Sequence, residues 1–225
     1  MASIEISPLN KDNAAKAHQQ RLQQMSRKDL VMYTDGSGHN GHIGAAIHSP
    51  TINLTKGKYV GTDKTHNVYA AELIAIQMAT KLFAEKLDEY SNAYIFVDSQ
   101  PAIQAVASPK RQSGQYIVKN ILDAIDRIYE TNPTCNIHIE WVPGHKSITG
   151  NEHADQAAKA AATPNTLSRN TPRMQSAQRS SIQCMTKTQW ETEWKTGREN
   201  AMRLRRMSQH PDTTTGPKLY GTLQQ

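Results

Sequence analysis

Apolar residues in this chain fall into short runs whose period switches between two and about 3.6, the mark of strands alternating with helices. LVMYT (30–34) is a compact apolar run halted by the turn-forming Asp-Gly-Ser-Gly, and predicts a buried strand ending at Thr34. HIGAAIHS (42–49) and TINLTKGKYVG (51–61) predict two further strands, joined by a turn at Ser49–Pro50 and pairing as hairpins. From His66 to about Leu87 the period becomes helical, with Leu73, Ile76, Ala79, Phe83 and Leu87 lining one face. AYIFV (93–97) predicts another buried strand, and a short helix follows through Ile103 and Val106. Ile117, Ile121, Ile125 and Ile128 predict an amphipathic helix over 114–129, after which NIHIEWV (136–142) alternates as a strand does. A last helix starts near Thr149, where Thr-Gly-Asn-Glu fits a capping box with Thr149 as the cap and Glu152 answering it. It ends before Thr163–Pro164.

The order β-β-β-α-β-α-α-β-α predicts an α/β domain over residues 29–162, a mixed sheet with helices packed on it. Residues 1–28 form a polar N-terminal extension, with a helix expected around Ala14–Met25. Residues 163–180, rich in Ser, Thr, Asn, Pro and Arg, predict a linker. Beyond it Ile182, Met185, Trp190, Trp194, Ala201 and Leu204 trace a helical stripe, so residues 181–208 predict an amphipathic basic helix. Residues 209–225 are expected to be a flexible tail.

Composition narrows the function classes. An apolar fraction of 37% and a mean hydropathy of −0.67 suit a soluble protein. No apolar run approaches the roughly 18–20 residues that span a bilayer, so no membrane partner is expected. The start MASIEISPLNKDN lacks the order of a secretion signal. The two cysteines, Cys135 and Cys184, give neither a disulfide framework nor a metal spacing, so the expected setting is intracellular, nucleus or cytoplasm. The net charge of +6 is unevenly placed. Residues 1–162 hold 16 basic and 16 acidic residues, whereas residues 163–225 hold 10 and 4. A basic tail fits either a polyanionic partner or a solvated surface.

Four carboxylates carry the candidate chemistry. An open α/β sheet exposes functional groups at the carboxyl ends of its strands, and Asp35 and Asp98 follow the strands at 30–34 and 93–97. Glu72 lies on the first long helix after Ala70 and Ala71, which are small enough to bring that backbone close to the sheet. Asp155 lies in the second turn of the alanine-rich last helix. Carboxylates that converge repel one another unless opposite charge offsets them. Two Mg²⁺, with Mn²⁺ able to substitute, are the expected answer, since hard cations take oxygen ligands and a pair can clamp both oxygens of a phosphoryl transfer. His145, ten residues before Asp155 in a loop, is a candidate proton shuttle or simply an exposed side chain.

YTDGSG (33–38), YAAEL (69–73), FVDSQ (96–100) and WVPGHKSITGNEHADQAAKAA (141–161) together resemble the type 1 ribonuclease H family. The resemblance implies a ribonuclease H-like fold of five strands in spatial order 3-2-1-4-5, the first three antiparallel. It implies hydrolysis of the RNA strand of an RNA–DNA hybrid by two-metal-ion catalysis. Asp35 would be shared by both ions, Asp155 would hold the nucleophile-side ion, Glu72 and Asp98 the other, and His145 would aid product release. Ser37, Gly38, Ser99 and Gln100 match nucleic-acid contacts, the last two in the minor groove. Two departures stand out: Val68 and Tyr69 occupy the places of an Asn pair that relatives use on nucleic acid, and Ser108–Gly114 is a short loop where some carry a basic helical handle. Arg198, Arg203, Arg205 and Arg206 in the tail are candidate substitutes for that handle. The wording of the motifs resembles the ribonuclease H portion of fungal-type non-LTR retrotransposon polyproteins, which implies a reverse transcriptase domain as neighbour. The competing reading is the same fold kept as a catalytically weak or inactive nucleic-acid-binding module.

Overall fold

The computed structural model describes residues 2–5, 10–110, 112–144, 146–164, 172 and 174–196. In chain order the elements are β1 (Ser3–Glu5), α1 (Lys11–Gln23), β2 (Asp29–His39), β3 (His42–Ser49), β4 (Leu54–Thr62), α2 (Val68–Glu85), β5 (Asn92–Val97), α3 (Gln100–Ala107), α4 (Gln115–Thr131), β6 (Asn136–Trp141), α5 (Thr149–Ala161) and α6 (Gln175–Thr196). The chain divides into a unit of residues 1–177 and a second unit of residues 178–225. No described helix is long and apolar enough to cross a membrane.

The sheet runs β1-β6-β5-β2-β3-β4. Its β4-β3-β2-β5-β6 portion is the expected 3-2-1-4-5 order, with β2, β3 and β4 antiparallel and β5 and β6 parallel to β2. A sixth strand corrects the expected five: Ser3, Ile4 and Glu5 pair in parallel with His138, Ile139 and Glu140. Three residues carry too little pattern to be read as a strand, and the open edge of β6 selects them.

Alternation along β2 divides the core. Leu30 and Met32 face a large cluster with α2, α3 and α4, whose members include Leu73, Ile76, Phe83, Ile103, Ile117 and Ile121. Val31 and Tyr33 face a smaller cluster with Phe96, Val142, Ile148 and Ala154, on which Leu22 and Met25 also pack. Adjacent strand residues point to opposite faces, so both faces of β2 are covered. On the second face His18 of α1 is buried against Tyr33, with Nε2 2.9 Å from the phenolic oxygen.

Four expectations need correction. β2 does not stop at Thr34: Asp35–His39 continue it by pairing with Ala46–His42 of β3. The reversal comes at Asn40–Gly41, both at positive φ, as a two-residue hairpin of that composition prefers. Thr149 is the first residue of α5 rather than its cap, for Ile148 takes the cap position and no side chain caps the helix. Residues 163–180 are not linker throughout. Met174 and Ala177 are buried in the core of the first unit, the Met174 amide donates to the Thr65 carbonyl at 2.8 Å, and α6 begins at Gln175. The N-terminal extension is likewise built into the domain through β1 and α1. Of the expected tail, residues 197–225 lie outside the described residues.

Candidate metal centre

Parallel pairing between β2 and β5 ends at Thr34 and Val97, so Asp35 and Asp98 are the next residues of two neighbouring strands as these part. Glu72 joins them from α2 because α2 lies almost on the backbone of β2. A β-carbon built on Gly36 would sit 2.5 Å from the Glu72 backbone nitrogen and 2.8 Å from the Ala71 carbonyl carbon. One ligand oxygen each of Asp35, Glu72 and Asp98 lies within 4.8 Å of the others.

Asp35 and Glu72 are buried. Burial, and then the charges of Asp98 and Asp155, push Asp35 up to about 7 against the counter-effects of Lys159 and the Gly36 amide. Burial raises Glu72 well above the ordinary carboxylate range, reinforced by Asp35 and Asp98, while a hydrogen bond from the Gly36 amide acts the other way. Oε2 of Glu72 is buried without a hydrogen-bond partner. A buried polar atom left unpaired is costly, as is crowding of like charge. A hard cation with oxygen ligands relieves both, so this donor set fits a divalent metal ion of the Mg²⁺ type.

Asp98, which follows β5, is held by α5 and by β6. Asn151 Nδ2 donates to Asp98 Oδ2 at 3.3 Å, and Trp141 Nε1 donates to the Asp98 carbonyl at 3.1 Å. Asp155 lies one helical turn beyond Asn151, where α5 crosses β3 with its backbone against Gly44. A β-carbon on Gly44 would overlap the Ala158 carbonyl oxygen and the Ala162 amide. The Asp155 charge reaches Asp35, but its carboxylate is outside the close trio and is paired with Lys159 Nζ at 2.6 Å.

Among the other candidates, Ser37 and Gly38 extend β2 past Asp35, and Ser37 is buried opposite Gly44. Ser99 takes the cap position of α3 and Gln100 opens that helix, both half-buried directly after Asp98. Asn67 caps α2, its side chain accepting from the Ala70 amide at 3.0 Å, and His66 is buried with Nε2 3.0 Å from the Pro172 carbonyl. His145 and the tail residues Arg198, Arg203, Arg205 and Arg206 lie outside the described residues. Sequence reasoning missed Asn151 and Lys159. The four-residue spacing Asn151–Asp155–Lys159 on one predicted helix was the available signal.

The chain is similar in sequence and in fold to proteins already known. An alignment 140 positions long, which covers 58% of the chain, is 34% identical to the Pol polyprotein of equine infectious anemia virus (strain Wyoming) and covers 10% of it. The chain thus spans about a tenth of the length of the curated relatives it matches. Similar solved structures include RNase H1 from the halophilic archaeon Halobacterium salinarum NRC-1, at 18% identity and a TM-score of 0.43 over 59% of this chain and 96% of that one. LC11-RNase H1 in complex with RNA/DNA hybrid is similar at 16% identity and a TM-score of 0.44, over 60% and 99%. Residues 27–163 match the sequence model of the RNase H family from end to end of the region that carries the four carboxylates, and the chain belongs to that family.

Proposed function

We propose that this chain is an endoribonuclease that hydrolyses the RNA strand of RNA–DNA hybrids at Asp35, Glu72, Asp98 and Asp155. The observation that carries the reading is the trio Asp35, Glu72 and Asp98, drawn within 4.8 Å with Glu72 Oε2 buried and unpaired. The four carboxylates are assigned two Mg²⁺, replaceable by Mn²⁺, with Asp35 common to both. Such ions, when bound, supply a clamp on the attacking and leaving oxygens of phosphoryl transfer. The chain itself orients and excludes. Gly36 brings Glu72 against β2, Asn151 turns the Asp98 carboxylate, and burial of Asp35 and Glu72 keeps water from screening the centre. His145 is assigned proton delivery at the leaving oxygen and product release. Ser37, Gly38, Ser99 and Gln100 are assigned contacts to the hybrid, where the 2′-hydroxyl distinguishes its strands.

The match to one stretch of retroviral Pol polyproteins supports an origin in a longer polyprotein. We assign that origin to a non-LTR retrotransposon of fungal type, with a reverse transcriptase domain as neighbour and an intracellular site of action in nucleus or cytoplasm. The competing reading, a catalytically weak or inactive binding module, is favoured by the Lys159–Asp155 pair, which engages one of the four carboxylates. Cleavage of a labelled RNA–DNA hybrid in Mg²⁺ separates the two. Wild type should cut and Asp98→Asn should lose nearly all cutting, whereas no cutting by wild type would establish the binding module.

A further inference from the structure

Beyond the trio Asp35, Glu72 and Asp98, β3, β4 and α5 bring two imidazoles together. His48 on β3 is nearly buried, and its Nδ1 lies 2.8 Å from the Thr55 hydroxyl on β4. Its Nε2 lies 3.3 Å from Nδ1 of His153, an exposed residue of α5, with the two rings 4.6 Å apart at 78°. From these contacts we infer that His48 and His153 form a second metal site, fitted to a transition-metal cation of the zinc type.

Three features support the assignment. The spacing is already that of a chelating pair: two nitrogens each about 2.0–2.1 Å from a tetrahedral zinc ion lie about 3.3–3.4 Å apart. In the tautomer in which the Thr55 hydroxyl accepts from Nδ1–H of His48, the Nε2 lone pair faces His153, with Thr55 as the outer partner that histidine ligands use. His153 is exposed, so its ring can turn from sharing a proton with His48 to sharing a cation, and water can complete the coordination. Imidazole suits zinc, copper and nickel, whereas carboxylates suit magnesium and manganese, so the two sites would sort different ions. An ion at His48–His153 would tie β3 to α5, the helix that carries Asp155 and Asn151. The inference stands on these contacts alone and does not depend on the hydrolytic reading.

Calorimetric titration of the full chain with Zn²⁺, in excess Mg²⁺ to occupy the carboxylates, tests it. The expected result is one equivalent of zinc whose affinity falls at least tenfold in His153→Ala and persists in Asp35→Asn. Because His153 is exposed, that substitution leaves the core untouched. Imidazole nitrogen resonances give a second readout: His48 Nε2 and His153 Nδ1 should shift on zinc addition. Equal zinc affinity in wild type and His153→Ala, or resonances of the pair that zinc does not move, would overturn the site and leave a hydrogen-bonded pair only.

Discussion

Gly36 and Glu72 are in such close contact that a β-carbon on the glycine would lie 2.5 Å from the glutamate's backbone nitrogen. Gly36→Ala therefore has to push α2 off β2, and overpacking of this kind costs about 1–3 kcal/mol. Denaturant unfolding should show that loss. Cleavage should fall much further than stability, because Glu72 moves with its helix. A variant that unfolds earlier yet cuts hybrid at the wild-type rate would separate the Gly36 contact from the centre.

Asp35→Asn should remove nearly all hybrid cleavage and at the same time stabilise the metal-free protein near neutral pH. The first effect follows from removing a carboxylate assigned to the metal, the second from removing a charge that burial and acidic neighbours disfavour, since they hold Asp35 up to about 7. Paired hybrid-cleavage and thermal-unfolding measurements in chelator check the two signs together. Lower melting temperature in the variant would mean that the Asp35 carboxylate stabilises the empty fold.

The pH dependence has a definite direction. Asp35 ionises at an ordinary value of 3.8 when unfolded and at about 7 when folded, so the fold favours its protonated form. Stability of the metal-free protein should be greatest below about pH 4 as far as this group is concerned. It should decline as pH rises to about 7 and level off above. Glu72 shifts in the same direction. Mg²⁺ binding must displace these protons, so apparent affinity should climb over the same interval, with proton release measurable by calorimetry in two buffers.

His145→Ala should lower turnover by roughly 10²–10⁴-fold at most, the range of a general acid–base group, and leave hybrid binding little changed. Single-turnover kinetics alongside a binding assay distinguish the outcomes. Weakened binding at unchanged turnover would make His145 a contact residue.

Deleting residues 178–225 should spare the fold, since Met174 and Ala177, the last buried apolar anchors of the first unit, are retained. If Arg198, Arg203, Arg205 and Arg206 neutralise phosphates, hybrid affinity falls and the salt slope flattens by about 0.9 for each phosphate they had neutralised, using the B-form DNA value. Single-turnover cleavage at saturation should persist. An unchanged slope would remove the tail from nucleic-acid binding.

The family was legible in the sequence, because period and motif order are local properties. Alternation in residues 30–34 and 136–142 and the helical stripe from Leu73 to Phe83 exist before any tertiary packing forms. What depended on the meeting of distant residues was not legible. β2 passes through Asp-Gly-Ser-Gly because β3 offers it partners, although Asn40–Gly41 was a readable hairpin signal. Ser3–Glu5 become a strand only at the edge of β6, and Met174 becomes core only beside Gly114 and Ser113. The carboxylates themselves divide in the same way. Tertiary packing drew Asp35, Glu72 and Asp98 into one buried group and gave Asp155 to Lys159, for distance and burial decide how charges interact, and neither is written along the chain.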